Sequence, residues 1–72
     1  MCGIIAASTE RSIGKLLIQG LYKMEYRGYD SAGIATLSNG LINEVKSEGR
    51  VDNLEKNSLV QNMMGTIGIG HV

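Results

Sequence analysis

The stretch SAGIATLSNGLINEVKS, residues 31–47, decides the fold because it carries a strong β-hairpin signal. Two runs of β-type residues, 31–38 and 41–47, are joined by Asn39-Gly40. A two-residue Asn-Gly link favours a tight turn with positive φ at both positions, and the twist of that turn matches the twist of the flanking strands. We therefore predict two antiparallel strands connected at Asn39-Gly40.

The residues before the hairpin predict a strand followed by a helix. CGIIAAS, residues 2–8, is a short apolar run, and the sequence from 10 to 26 changes to helical spacing. The expected buried stripe consists of Ile13, Leu16, Leu17, Leu21 and Met24. Two glycines inside the helix, Gly14 and Gly20, each weaken it by about 1 kcal/mol relative to alanine and suggest close packing against a neighbour.

The ends of this helix have recognisable signals. Ser8 or Thr9 can cap the first turn, in which Glu10 would complement the helix dipole. Gly28 is placed to adopt positive φ just beyond the last turn. We therefore expect the helix to begin near Glu10 and to end before Gly28.

The residues after the hairpin predict short helices and one more strand. RVDNLEKNSLVQNMM, residues 50–64, can form one or two short helices with Val51 and Leu54 facing inward. GTIGIGHV, residues 65–72, is read as a final strand with an open edge that would invite aggregation. The order strand, helix, hairpin, short helix, strand predicts an α+β fold.

The composition excludes several classes of protein. Seven basic and seven acidic residues balance, so no charge pattern indicates binding to nucleic acid or an anionic membrane. One cysteine cannot form an internal disulfide, and together with one histidine it falls short of a structural zinc site. We expect no metal, no cofactor and a reducing cytoplasmic location.

The length indicates that the chain is part of something larger. A domain of this size hides only about 60% of the surface that its unfolded chain exposes. The 72 residues contain no Phe and no Trp, so large core anchors are scarce. Such a chain usually needs a partner or further polypeptide for stability.

Cys2 is the residue whose position suggests catalysis. Removal of Met1 would make it the N-terminal residue, so that a thiol and a free α-amine would belong to one residue. An α-amine is partly unprotonated near neutral pH and can accept the thiol proton directly or through a water. Cys2 could therefore supply both a nucleophile and its general base.

Other catalytic arrangements lack the necessary residues. A Cys-His pair would need His71, and nothing in the sequence brings His71 to Cys2. The glycines at 65, 68 and 70 do not match a dinucleotide-binding fingerprint, and no P-loop lysine follows them.

The segment EYRGYDSAG, residues 25–33, has two interpretations. As a helix exit it uses Gly28 for the turn, Asp30 or Ser31 to bond local backbone, and Gly33 where a strand begins. That interpretation does not explain two tyrosines flanking Arg27. A turn and a binding loop are about equally consistent with the segment.

MCGI at the start, EYRGYDSAGIA at 25–35 and GTIGIGH at 65–71 together resemble the class II glutamine amidotransferases, a family of N-terminal-nucleophile hydrolases. The resemblance covers the whole chain in the family's order. Tyr26 and Tyr29 are typical of the branch that makes glucosamine 6-phosphate. The amidophosphoribosyltransferase branch reads H-R-G-Q-D-S-A-G there, and the asparagine synthetases read R-G-P-D.

The resemblance implies a fold and a reaction. The fold would be part of a four-layer αββα sandwich, with residues 1–72 as the N-terminal part of the amidotransferase domain. Cys2 would attack the side-chain amide of glutamine, and a separate sugar-isomerase domain would use the ammonia to convert fructose 6-phosphate to glucosamine 6-phosphate. Arg27 would order the loop around the N-terminus without being catalytic, and the full-length enzymes would be homo-oligomers.

The chain also departs from the family pattern. Val72 stands where the family has Thr, and the family's substrate-binding arginine, oxyanion-hole Asn-Gly pair and acidic residue for the substrate amine would lie beyond residue 72. Loss of a single oxyanion donor costs about 10²–10³ in rate. We therefore expect a truncated amidotransferase domain that is inactive as an isolated chain.

Two alternatives remain open. One is another class II amidotransferase, such as the amidophosphoribosyltransferase type, against which Tyr26 and Tyr29 argue. The other is a non-catalytic module that complements a separately encoded remainder.

Overall fold

The fold is an antiparallel β-sheet with helices packed against one of its faces. The computed structural model describes residues 2–72. In chain order the elements are β1 (Ile4–Ser8), α1 (Gly14–Met24), a 3-10 turn (Glu25–Arg27), β2 (Ser31–Ser38), β3 (Leu41–Glu48), α2 (Val51–Glu55), α3 (Ser58–Gln61) and β4 (Ile67–His71). The sheet order is β1-β4-β2-β3. The predicted α+β class is confirmed, and a sheet with one helical layer is compatible with a partial αββα sandwich.

The hairpin forms as predicted from the sequence. β2 and β3 pair in antiparallel register from Ser31↔Glu48 to Ser38↔Leu41. Asn39 and Gly40 have φ values of 52° and 77°, as a type I′ turn requires. The link therefore fixes the register of the two strands.

The position of β4 corrects the expectation of an open edge at 65–72. β4 pairs with β1 on one side and with β2 on the other, so the outer edges of the sheet are β1 and β3. Its glycines let α1 lie close to the sheet: a Cβ at Gly68 would lie 2.9 Å from Cδ1 of Leu17. The expectation was wrong because pairing partners distant in sequence leave no local signal.

The start of α1 also differs from the prediction. The helix begins at Gly14, and its N-cap residue Ile13 makes no side-chain capping bond. Ser8 ends β1, and the Thr9 hydroxyl donates to the Arg11 carbonyl at 2.8 Å. Residues 9–13 are needed to turn the chain back across the sheet, so neither Ser8 nor Thr9 caps the helix and Glu10 lies outside it.

The buried stripe of α1 is partly as predicted. Leu16 is 43% exposed, whereas Ile18 is 3% exposed and takes its place in the core. A Cβ at Gly20 would clash with Cδ1 of Ile5, which confirms close packing there. At Gly14 the nearest atom would be the Val60 carbonyl oxygen at 3.7 Å, an ordinary contact, so packing does not require that glycine.

The core lies between the helices and one face of the sheet, and it includes the predicted inward residues Val51 and Leu54. Its buried apolar side chains are Ile13, Leu17, Ile18, Leu21, Ala32, Ile34, Val45, Val51, Leu54 and Val60. The opposite face of the sheet carries five large apolar side chains that are 43% to 76% exposed, namely Ile4, Leu37, Ile42, Ile67 and Ile69. We call this surface the open face. Among residues 2–72, no helix is long and apolar enough to cross a membrane.

One side-chain hydrogen bond links α1 to α2 directly. The Tyr22 hydroxyl donates to Oε1 of Glu55 at 2.6 Å. This bond, with burial and the nearby negative charges of Glu55, Asp52 and Glu25, raises the pKa of Tyr22 to about 12. The folded state therefore holds this proton more tightly than the unfolded state, in which tyrosine ionises near pH 10.

Replacing Tyr22 by Phe should lower the free energy of unfolding at pH 7 by roughly 0.5–1 kcal/mol, because the bond is partly solvent-exposed. The contribution is complete below about pH 10 and is lost as pH rises through about 12. Urea unfolding at pH 7 and at pH 11.5 would measure the difference between the two proteins. A difference that stays constant or grows at the higher pH would contradict this assignment.

Candidate active site

Cys2 lies just before β1, at the end of its pairing with β4. The Gly3 amide donates to the Val72 carbonyl at 3.2 Å, and the Val72 amide donates back to Gly3 at 3.0 Å. This pair extends the ladder one step beyond Ile4↔His71. The thiol of Cys2 is free and exposed, and the alternation of side chains puts it on the side of Ile4, the open face.

The end of α1 leaves no room for a side chain at position 3. A Cβ at Gly3 would lie 2.7 Å from Sδ of Met24 and 3.3 Å from Cγ2 of Val72. The backbone next to Cys2 is therefore held by a strand on one side and by the end of a helix on another. Removal of Met1, on which the α-amine chemistry depends, concerns a residue outside the described range 2–72.

His71 is much nearer to Cys2 than the sequence indicated. It pairs directly with Ile4, two residues from Cys2, and such diagonal neighbours lie roughly 7–8 Å apart. Its imidazole lies against β2, because a Cβ on Gly33 would be only 2.7 Å from Nε2. The strand pairing thus brings His71 beside the candidate nucleophile, while its ring rests on the strand farther from Cys2.

Glu25 joins the 25–33 segment to α2. Its Oε2 accepts a hydrogen bond from the Val51 amide at 2.7 Å, at the first residue of that helix. Its Oε1 lies 3.9 Å from Nη1 of Arg50, whose guanidinium stands over the ring of Tyr29 at 4.5 Å. Two members of the segment, Glu25 and Tyr29, therefore hold the chain where β3 leads into α2.

The rest of the segment is arranged partly as expected. Gly28 has φ of 120° and ends the 3-10 turn, as predicted. The strand begins at Ser31, two residues before Gly33. Asp30 forms a hydrogen bond through its backbone carbonyl, which accepts from the Gly49 amide at 2.8 Å.

Tyr26 and Arg27 point outward. Tyr26 is 86% exposed, and Arg27 is also exposed. Within residues 2–72 the Arg27 side chain has no hydrogen bond or ion pair. Its role in ordering the N-terminus stays a prediction.

Among residues 2–72, the Cys2 thiol belongs neither to a metal site nor to the groove between α1 and α3. These residues contain no cluster of three His, Cys, Asp or Glu side chains suited to a metal. A groove of about 930 Å³ between α1 and α3, lined by Lys15, Ile18, Gln19 and Val60 among others, does not include Cys2. The arrangement at Cys2 is a free, exposed thiol at the end of the β1–β4 ladder, with a histidine on the adjacent strand.

An alanine at position 33 should displace the His71 ring, because its Cβ would meet Nε2 at 2.7 Å and Cγ of Lys46 at 3.1 Å. Both neighbours are mobile side chains, so we expect a loss of less than about 1 kcal/mol. NMR would show the move, since His71 is the chain's one histidine.

Gly40→Ala is the matched control for this substitution. Position 40 has nothing within 4 Å of a Cβ but has φ of 77°. It should lose about 1 kcal/mol through strain without moving the His71 resonances. Unchanged His71 resonances in Gly33→Ala would contradict the placement of the ring.

Comparison with known proteins finds relatives that match the chain over its whole length. No family model matches the chain. The chain is 53% identical over 72 residues to the glutamine–fructose-6-phosphate aminotransferase (isomerizing) of Clostridium acetobutylicum. It is 48% identical over 71 residues to the protein of that name from Brucella abortus, and 44% identical over 72 residues to that of Buchnera aphidicola.

These matches cover 99% of the chain but only 12% of each relative's length. The matched residues therefore span the sheet and the helices. Over its whole length the chain therefore matches the N-terminal part of glutamine–fructose-6-phosphate aminotransferases (isomerizing).

Proposed function

We propose that residues 1–72 form the N-terminal part of a type 2 glutamine amidotransferase domain, in which Cys2 is the nucleophile. The observation that carries the proposal is the exposed Cys2 thiol, next to a backbone pair that ties Gly3 to Val72. The names of the relatives, which include glutamine as a substrate, support it.

The proposed step uses two groups of one residue. After removal of Met1, the α-amine of Cys2 accepts the proton of its own thiol. The thiolate attacks the side-chain amide carbon of glutamine and gives a tetrahedral intermediate. Ammonia leaves with the transferred proton, a thioester to Cys2 remains, and water then releases glutamate and regenerates the thiol.

The fate of the ammonia is the second part of the proposal. In the longer relatives, a sugar-isomerase domain would use it to form glucosamine 6-phosphate from fructose 6-phosphate, in amino sugar biosynthesis. The chain spans about 12% of those relatives, so the second substrate would bind outside these residues. A cytoplasmic location is part of the proposal, because a nucleophilic thiol needs a reducing compartment.

A chimera tests the role of Cys2. In it, this chain replaces the matching segment of the Clostridium acetobutylicum relative, to which it is 53% identical. We expect glutamine-dependent formation of glucosamine 6-phosphate, and a fall of at least about 10³-fold in Cys2→Ala.

A matched control tests the contribution of the α-amine separately from that of the thiol. An alanine inserted ahead of Cys2 leaves the thiol in place but removes its free α-amine. We expect a comparable loss of glutamine-dependent activity, while iodoacetamide still alkylates the thiol. Full activity in the extended protein would rule out the α-amine as the base.

The 72-residue polypeptide alone should release no glutamate from glutamine. Its thiol stands on an exposed surface, and activation of the amide also needs oxyanion donors and a substrate clamp, each worth large rate factors. Glutamate release by the purified chain, compared with Cys2→Ala, measures this directly. Turnover that depends on Cys2 would refute it.

We also propose Arg27 as a positioning residue for the N-terminus. Because Arg27 is exposed, Arg27→Gln in the chimera should leave the urea midpoint unchanged. It should lower kcat/KM for glutamine by about tenfold, mainly through kcat, if the N-terminal amine and thiol lose their alignment. An effect confined to the urea midpoint would show a structural role only.

A further inference from the structure

We propose that Asn39, in the turn between β2 and β3, is a site of spontaneous modification at which water converts asparagine to aspartate and isoaspartate. Asn39 and the following Gly40 are both exposed at the tip of the hairpin. A glycine least hinders attack of its own amide nitrogen on the preceding side chain, because it carries no Cβ. This modification does not involve Cys2 or the proposed amidotransferase chemistry.

The modification takes two steps and needs only water. The Gly40 nitrogen attacks Cγ of Asn39, so a bond forms between these atoms while the bond from Cγ to Nδ2 breaks. Nδ2 leaves as ammonia with the proton of the Gly40 amide, and a cyclic succinimide remains. Water then opens the ring at either carbonyl carbon. Opening at Cγ gives aspartate, and opening at the main-chain carbonyl gives isoaspartate.

The Gly40 amide is available as the attacking group. In the β2–β3 ladder Ser38 pairs with Leu41, so the two turn residues between them stand outside the pairing. Among residues 2–72, the Gly40 amide donates to no backbone carbonyl in a turn or loop. A Cβ at Gly40 would meet nothing within 4 Å, so the space around this residue is open.

The other asparagines are less suited to the reaction. Only Asn39 is followed by a glycine. Asn43 is followed by Glu44, whose side chain hinders the approach of its nitrogen. The remaining asparagines hold their side-chain amides in hydrogen bonds with backbone groups, namely Asn53, Asn57 and Asn62. The modification should therefore be concentrated at Asn39.

The conformation of the turn slows ring closure without preventing it. Asn39 has φ of 52°, and the type I′ turn holds its main chain in one geometry. Bond formation needs a rotation of the main chain between Asn39 and Gly40, so the turn must open briefly. Leu41, which ends the ladder beside the turn, is 68% exposed, so few apolar contacts oppose this opening. We therefore expect the folded chain to react more slowly than the unfolded chain.

Isoaspartate at position 39 changes the link that fixes the hairpin. Its main chain runs through Cβ and Cγ, so the connection between the strands becomes one carbon atom longer. A two-residue turn sets the register through its length and dihedral angles, so the pair Ser38↔Leu41 loosens. The turn lies at the opposite end of the sheet from the Gly3–Val72 pair, which should keep its geometry.

Peptide mapping by mass spectrometry tests the site. The chimera described above is incubated at mildly alkaline pH, where more of the Gly40 amide is deprotonated, and samples are digested at intervals. Conversion at Asn39 should be at least about tenfold faster than at any asparagine of residues 41–72. The same incubation in urea should speed conversion at Asn39, because unfolding removes the turn. No conversion at Asn39, or equal conversion at the other asparagines, would overturn the proposal.

Asn39→Gln is the matched control for the chemistry. It keeps an amide at the same exposed place, but the longer side chain would have to close a larger ring. Isoaspartate is detected in the digested peptide by methylation with S-adenosylmethionine and a protein isoaspartyl methyltransferase. The signal should grow with time in the unsubstituted protein and stay at background in Asn39→Gln. An equal signal in both proteins would overturn the assignment to Asn39.

A second variant tests the contribution of the turn itself. Glu44→Gly places a glycine after Asn43, which lies inside β3 and pairs with Thr36. The strand holds Asn43 extended, so conversion there should remain at least about fivefold slower than at Asn39. Equal rates would show that the dipeptide alone sets the rate and would overturn the role of the turn.

Hydrogen exchange measured by mass spectrometry tests the loosened hairpin. In the isoaspartate form, separated by chromatography, peptides that span residues 38–42 should exchange at least about tenfold faster, because the end of the ladder opens more often. Peptides that contain residues 2–8 should exchange as before. Unchanged exchange at residues 38–42 would overturn the loosening of the hairpin.

Discussion

The insertion of β4 between β1 and β2 is the constraint on which the rest of the structure depends. It joins the two ends of the chain, and the Gly3–Val72 backbone pair closes the arrangement. The alternation of glycine in β4 makes the insertion compatible with a covering helix, because a Cβ at Gly70 would lie 3.3 Å from Cδ2 of Leu21. Bulkier side chains at these positions would hold α1 off the sheet and open the core.

Local features of the fold could be predicted from the sequence, and long-range pairings could not. Asn39-Gly40 fixes its hairpin through the dihedral angles of two residues, so the signal and the structure occupy the same place in the chain. The partners of β4 lie 30 to 38 residues away in β2 and 59 to 67 residues away in β1, and no local propensity encodes that choice. The start of α1 was missed for a related reason: the segment before it is shaped by bonds to 65 and 66, such as Thr9 to the Thr66 carbonyl.

In the candidate site too, local features could be predicted from the sequence and long-range contacts could not. Cys2 could be proposed as a nucleophile from the sequence because the proposed chemistry depends on its position next to Met1. The place of His71 could not, because it follows from the register of β4. Glu25 illustrates the same limit, since its partners Arg50 and Val51 lie about 25 residues away.

The 25–33 segment therefore has two physical roles. Glu25 and Tyr29 hold Arg50, and Gly33 leaves the space in which the His71 ring lies, so these residues are constrained by contacts inside the chain. Tyr26 and Arg27 have no such constraint, because both are exposed on the turn between α1 and β2. A helix exit explains the first group but gives no reason for an aromatic and a cationic side chain in the second.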